Sequence, residues 1–456
     1  MAVSPVEGLA KAIRGRVVER GDEGYDEARA LFNAMIDRRP AAIAYCVDEQ
    51  DVSGAIAFGR ERGLQLAIRC GGHNGGGLGS VDDGLVVDLS EMHEVQVDPT
   101  ARIARAQGGA TLAQLDAATH EHGLAVPVGI NATTGLGGLT LGGGIGNLTR
   151  RFGLTIDHLV AARVVLADGS LVETDVEHEP DLFWAIRGGG GNFGIVTSFS
   201  FTCEPVTSVV GGPMFWPIEQ AEEVLAWYRD FLDGQPETLG GFFNFHTVPP
   251  VDMFPAEYHL HKVCGIVWCC TDLGDADDLL APARALSPII DGVGEMPLPV
   301  LNSLFDGLYG PGDQWYWRSA FLAAVPDEAI EANREWGERL PTLKSGMHMY
   351  PVGGAAARPS SDETAWAYRD AKWVQVIFGV DPEPAWAPAL RDWAVGYSEA
   401  VYPHSMGGTY LNMIMDEGHD RVRLSYRENY DRLARIKAHY DPDNAFSVNQ
   451  NITPAG

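Results

Sequence analysis

One histidine, His73, stands among six glycines in the stretch Ile68-Arg69-Cys70-Gly71-Gly72-His73-Asn74-Gly75-Gly76-Gly77-Leu78-Gly79. An imidazole is neutral for most of its population near pH 7 and offers a nucleophilic ring nitrogen. Glycine allows positive φ and close approach of backbone to ligand, so this loop suits a large flat or phosphate-bearing molecule. His73 is its most reactive side chain.

Two further glycine clusters follow. Residues 128–146 contain Gly129, Thr133, Thr134, Gly135, Gly138, Gly142, Gly143, Gly144 and Gly146, then Asn147, and their hydroxyls and free N–H groups suit a pyrophosphate. The third, Gly188-Gly189-Gly190-Gly191-Asn192-Phe193-Gly194, contains a literal GxGxxG. Its context is reversed for a Rossmann turn, because a helical pattern precedes it and the strand-like run beginning Ile195-Val196 follows.

The elements that must carry these loops are legible in outline. Residues 41–47, 51–62 and 64–68 read as strand, helix and strand, a βαβ-like opening. Strands follow at 85–89, 95–97 and 103–107, then a helix at 111–122. Asp168-Gly169 marks a hairpin between 159–166 and 171–174. From residue 205 the glycine clusters stop and aromatic residues thicken, with helices predicted over 217–232 and 326–340 and strands over 263–270 and 373–380. This middle region carries His246, His259, His261, His348 and His404, of which His259 and His261 are two apart on a predicted strand and so share a face. With no third ligand in sight, no metal is assigned. The predicted fold class is α+β.

Composition narrows the function. At 456 residues the chain is long enough for two or three domains. Net charge is −29, with 62 acidic against 33 basic residues, which argues against nucleic acid or anionic membrane as partner. No apolar run reaches the ~18 residues of a membrane span and no signal pattern opens the chain, so a cytoplasmic location is expected. The six cysteines are scattered without a CxxC pair and read as buried free thiols.

The motifs Arg69-Cys70-Gly71-Gly72-His73, Gly142-Gly143-Gly144-Ile145-Gly146, Asp181-Leu182-Phe183-Trp184 with 188–196, Tyr426-Arg427-Glu428-Asn429-Tyr430, and Asn449-Gln450-Asn451-Ile452 together resemble the berberine-bridge-enzyme-like oxidases of the vanillyl-alcohol oxidase/para-cresol methylhydroxylase superfamily. The resemblance implies an FAD-binding domain from residues 1–204 and 411–456 around a substrate domain at 205–410, the latter with a β-sheet and helices. It implies FAD joined to His73 through the 8α position, with Arg69, Gly71, Gly72, Asn74, Gly75, Gly194, Ile195, Val196, Tyr426, Asn449, Asn451 and the glycines and threonines of 129–147 around the cofactor. Relatives with a second, cysteinyl link have G-x-C-P-T-V-G. Here Gly129-Ile130-Asn131-Ala132-Thr133-Thr134-Gly135 places Asn131 at the cysteine, so one covalent link is expected. The position of Thr134 lies over the flavin in the family, and its small side chain favours O2 as acceptor.

In Tyr410-Leu411-Asn412-Met413, methionine stands where several alcohol-oxidising relatives carry a tyrosine base. Methionine cannot accept a proton. Either another group, such as a middle-region histidine, supplies the base, or the substrate is a neutral amine that needs none, as in the 6-hydroxynicotine-oxidase type. Tyr410 and Asn412 then position substrate, or pack beside the flavin. The expected activity is FAD-dependent oxidation of a C–H next to nitrogen or oxygen in a small ring-bearing molecule, with O2 giving H2O2, in a monomer or homodimer. Sugar or secondary-alcohol oxidation, natural-product tailoring, and a flavin-binding protein without turnover are the alternatives.

Overall fold

The computed structural model describes residues 6–252 and 254–456. Its first sheet has the order β1-β2-β4-β3, from β1 (Val17–Glu19), β2 (Ala42–Tyr45), β3 (Leu66–Arg69) and β4 (Leu85–Asp88). The β2, β4 and β3 strands run parallel, and the helix Glu49–Glu61 makes the crossover, capped by the Asp48 carboxylate on the Asp51 N–H. The register sets Arg69 opposite Asp88, so the last side chains of β3 and β4 form a buried ion pair directly beneath the His73 loop.

The second sheet is antiparallel, β5-β6-β9-β7-β8, from β5 (Val95–Asp98), β6 (Ile103–Gln107), β7 (Leu159–Val165), β8 (Leu171–Thr174) and β9 (Ile195–Thr202). The Asp168-Gly169 hairpin forms as predicted, with Gly169 at φ +84°. Helix Leu112–His120 starts on a capping box between Thr111 and Gln114. The third glycine cluster does lie between helix Pro180–Ile186 and β9, the order opposite to a Rossmann turn.

The third sheet has eight strands. Seven form the path β13-β10-β12-β11-β16-β17-β15, built from β10 (Ser208–Pro217), β11 (Leu239–Thr247), β12 (Lys262–Cys270), β13 (Ile290–Asp291), β15 (Gln314–Leu322), β16 (Gly346–Pro351) and β17 (Trp373–Asp381), and β14 (Gly294–Pro297) pairs with β10. Both faces are covered, and the two-residue period sorts them. Phe243, Phe245, Met347, Met349 and Ile377 pack with helices Ala221–Asp233 and Ala387–Val401. Their alternates Phe242, Tyr350, Val376 and Phe378, with Trp315 and Trp317 of β15, form the opposite cluster, which also holds Ile145, Tyr410 and Met415.

Residues from 411 onward return to the second sheet. Leu411, Tyr426, Leu433, Ile436 and Ile452 share one core with Phe183, Ile186, Phe199 and Phe201. Lys437 falls on the buried face of helix Tyr430–Tyr440, where its ammonium is completely covered and donates to Asp441 Oδ2 (2.6 Å), Asn192 O (2.6 Å) and Phe446 O (2.9 Å). The third glycine cluster is thereby tied to the C-terminal helix.

One sequence expectation fails here. His259 and His261 are not on a strand, because a 3-10 turn (Ala256–Tyr258) precedes them and β12 begins only at Lys262. The His259 ring turns back to the Val251 and Phe254 carbonyls, so the two imidazoles share no face. No helix among the described residues is long and apolar enough to cross a membrane.

Candidate active site

All three glycine clusters and the aromatic face of the third sheet meet at one cavity of about 340 Å3. Its wall holds Arg69, Gly71, Gly72, His73, Asn74, Gly129, Thr134, Gly135, Gly138, Gly142, Gly194, Ile195, Val196, Tyr426 and Asn449 together with Tyr410, Asn412 and Met413. Seven sequence-assigned residues stand behind it. Gly75 packs on the Trp317 ring, Gly143 on Trp366, and Gly146 on the Val128 carbonyl. Gly144, at φ +79°, donates its N–H to Tyr410 Oη (3.2 Å). Asn147 pairs with Asn302 (3.0 Å), and Asn451 Oδ1 is buried without a partner among the described residues. Thr133 reaches the site through His73 and through Asn131, which lines the wall.

The His73 ring is fixed on three sides. Phe32 stacks on it with centroids 3.9 Å apart and planes at 19°. Thr133 Oγ1 lies 3.0 Å from Nε2, and Thr134 Oγ1 lies 3.4 Å from Nδ1. Thr133 gives its one hydroxyl proton to Asn131 Oδ1 (2.7 Å), which leaves its oxygen to accept from Nε2–H. Nδ1 then keeps the lone pair. Burial pushes the His73 pKa down to about 4, so the ring is neutral and nucleophilic at physiological pH.

The wall fits a dinucleotide-sized cofactor. The backbone N–H groups of Gly72, His73, Asn74, Gly75 and Gly76 have no protein acceptor among the described residues, which is the donor set of an anion-binding nest. Gly71 and Gly135 touch backbone to backbone, so a side chain on either would push the first two loops apart. The position a Cβ would take on Gly138 is open space, and Asn449 Oδ1 is buried beside the cavity with no partner among the described residues. Cys70 is the one cysteine on the wall among the described residues. Its sulfur is packed against Gly137, and burial lifts its pKa to about 12, so it is a poor nucleophile.

Against the second glycine cluster, Tyr410 Oη accepts from Gly144 N–H and from Asn412 Nδ2 (2.9 Å), while Asn412 Nδ2 also donates to the Leu139 carbonyl (3.0 Å). Met413 lies beside them on the wall and carries no titratable proton. Tyr309, Trp315, Trp317, Tyr350 and Phe378 complete an aromatic enclosure together with His348. His246 stands directly behind His348, at 2.9 Å. Sequence reasoning named these histidines without pairing them, and it missed Tyr309 and Phe32, which belong to no motif.

Comparison with known proteins decides the family. An FAD binding domain model matches residues 40–175, and a berberine and berberine-like model matches 409–453. The FAD-linked oxidoreductase YgaK of Bacillus subtilis is 34% identical over 97% of this chain and 97% of its own. The chain belongs to the berberine-bridge-enzyme-like FAD-linked oxidoreductases. Within this family it is also similar to (R)-6-hydroxynicotine oxidase of Paenarthrobacter nicotinovorans, 28% identical over 98% of both chains. The glucooligosaccharide oxidase of Acremonium strictum, whose structure carries a 6-S-cysteinyl, 8α-N1-histidyl FAD, superposes with TM-score 0.86 at 26% identity over the whole of both chains. The α+β architecture is thus that of the vanillyl-alcohol oxidase/para-cresol methylhydroxylase fold, and FAD is the cofactor of this berberine-bridge-enzyme-like protein.

Proposed function

We propose that the protein is an oxidase that removes hydride from a C–H next to oxygen or nitrogen in a small ring-bearing molecule, on FAD held by a single covalent bond from His73. The observation that carries this reading is the meeting of a neutral, stacked His73 and an acceptor-free N–H nest with an aromatic enclosure across one cavity. When bound, FAD supplies the hydride acceptor at N5 and passes the electrons to O2, giving H2O2.

The protein's own residues do the rest. Residues 72–76 would offer their acceptor-free N–H groups to the phosphates, and the Arg69–Asp88 pair holds the start of that loop. His73 offers the Nδ1 lone pair for attachment, oriented by Thr133 through Nε2. The rings of Trp315, Trp317, Tyr350 and Phe378 would enclose a flat or ring-shaped substrate. The small Thr134 beside His73 supports O2 access. Asn131 in the cysteine position supports a single link. The division into an FAD-binding part (1–204 and 411–456) and a substrate part (205–410) follows the change from second to third sheet between Thr202 and Ser208.

Intact-mass analysis and absorbance of denatured, desalted protein test the reading. One FAD adduct and a retained yellow colour are expected, and His73→Ala should release the flavin while circular dichroism stays native. Colour retained by the alanine variant would overturn the histidyl link. Peroxide release across sugars, secondary alcohols, phenols and cyclic amines tests the oxidase activity, and a flavin bleached by none of them would overturn it.

A further inference from the structure

Four titratable rings form one hydrogen-bonded chain, three of them in the aromatic enclosure and His246 behind it. Tyr350 Oη lies 2.8 Å from His348 Nδ1, His348 Nε2 lies 2.9 Å from His246 Nε2, and His246 Nδ1 lies 3.3 Å from Tyr309 Oη. Strand periodicity builds it. His348 and Tyr350 are two apart on β16 and share its cavity face, and the β11–β16 register pairs Asn244 with His348, so His246 is the diagonal neighbour on that face. All four side chains are buried, and Tyr350, His348 and Tyr309 also line the cavity.

We propose that Tyr350, His348, His246 and Tyr309 are a proton relay that takes the proton of a substrate hydroxyl, so that the substrate is an alcohol, hemiacetal or phenol rather than an amine. The proposal rests on the oxidase reading above. The substrate O–H breaks as its proton passes to Tyr350 Oη, and the Tyr350 proton passes to His348 Nδ1. The Nε2 proton of His348 moves to His246 Nε2, the Nδ1 proton of His246 moves to Tyr309 Oη, and the Tyr309 proton leaves to water in the cavity. The hydride of the adjacent C–H goes to the flavin of the proposed reaction, and the substrate carbon becomes a carbonyl.

Two observations favour this chain over Tyr410, the phenol beside Met413 on the wall. Both lone pairs of Tyr410 Oη are taken by Gly144 N–H and Asn412 Nδ2, so Tyr410 is left as a donor that orients substrate. Tyr350 Oη has His348 as its one hydrogen-bond partner among the described residues, and so keeps an acceptor site. Burial lowers the His246 pKa to about 3, and burial with the neighbouring His246 lowers that of His348 well below its ordinary value. Storing a charge on either ring is therefore costly, whereas a concerted shift of one proton per bond leaves every ring neutral.

Two measurements on the holoenzyme test the relay. In 15N-histidine NMR, Tyr309→Phe should change the Nδ1/Nε2 proton distribution of His348, although Tyr309 hydrogen-bonds His246 and not His348. An unchanged His348 spectrum overturns the relay without reference to any substrate. In anaerobic flavin bleaching with cellobiose, xylobiose, benzyl alcohol and (R)-6-hydroxynicotine as probes, a hydroxyl probe should bleach the wild type with a solvent deuterium effect. Tyr350→Phe should slow that bleaching about 100-fold, and Tyr309→Phe should reduce the deuterium effect. Bleaching by the amine alone, unaffected by Tyr350→Phe, overturns the hydroxyl substrate class while leaving the oxidase standing. Bleaching by no probe counts against the oxidase reading, and the NMR result still decides the relay.

Discussion

Phe32 lies flat against His73, and its neighbour Asn33 ties the same loop to the far sheet. Asn33 is fully buried, donates to the carbonyls of Gly75 (2.9 Å) and Trp315 (3.0 Å), and accepts from the N–H groups of Trp315 and Met35 (3.0 Å each). Residues 32–33 therefore position the His73 loop against β15. Phe32→Ala removes a stacked pair worth about 1 kcal/mol and should slow covalent flavin incorporation about fivefold, read as the time course of FAD adduct formation. Asn33→Leu should lower stability by about 2–4 kcal/mol in chemical denaturation, because it strands buried backbone groups. Wild-type stability in that variant would refute the positioning role.

Asn131 sits on the cavity wall in the place that the family motif gives to cysteine. In a His73→Ala background, Asn131→Cys should restore a covalent FAD adduct of one per chain, detected by mass and by flavin absorbance after denaturation. Absence of any adduct would show that the loop holds residue 131 away from the flavin.

Lys437 and Asp441 are a fully buried pair whose charges are compensated only by each other and by backbone groups. Lys437→Met leaves the carboxylate unpaired and should cost about 3–5 kcal/mol. Adding Asp441→Asn should recover a large part of that loss. Equal stability of the single and double variants would contradict the coupling.

Asp116 is buried with Asn302 Nδ2 at 2.9 Å as its partner, and burial raises its pKa from 3.8 to about 7. The fold thus disfavours its charged form. The destabilisation is absent below about pH 4, grows between 4 and 7 and stays constant above. Asp116→Asn should raise stability at pH 8 by about 2–4 kcal/mol and change it little at pH 4, measured by thermal melts at both values. A stabilisation independent of pH would point to packing instead.

Much of the cofactor side was legible because it depends on short stretches of chain. The glycine clusters, the reversed helix–strand order around Gly188, the helix beginning near Thr111 and the hairpin at Asp168-Gly169 are local, and local sterics decide them. The His259/His261 strand failed for the same kind of reason in reverse, since a turn starting after Pro255 overrode the two-residue spacing.

The sequence by itself determined the family, placed His73 in the first glycine loop as the proposed flavin anchor and set methionine, which cannot act as a base, at position 413, because each is a residue type at a motif position. Only the tertiary structure brings together the rings that we propose replace that base. His246 and His348 are 102 positions apart, and their contact comes from the register of two neighbouring strands. Phe32 on His73 and Lys437 beneath the third glycine cluster are likewise long-range pairings. Such pairings follow from how sheets and helices pack together, and no spacing along the chain encodes them.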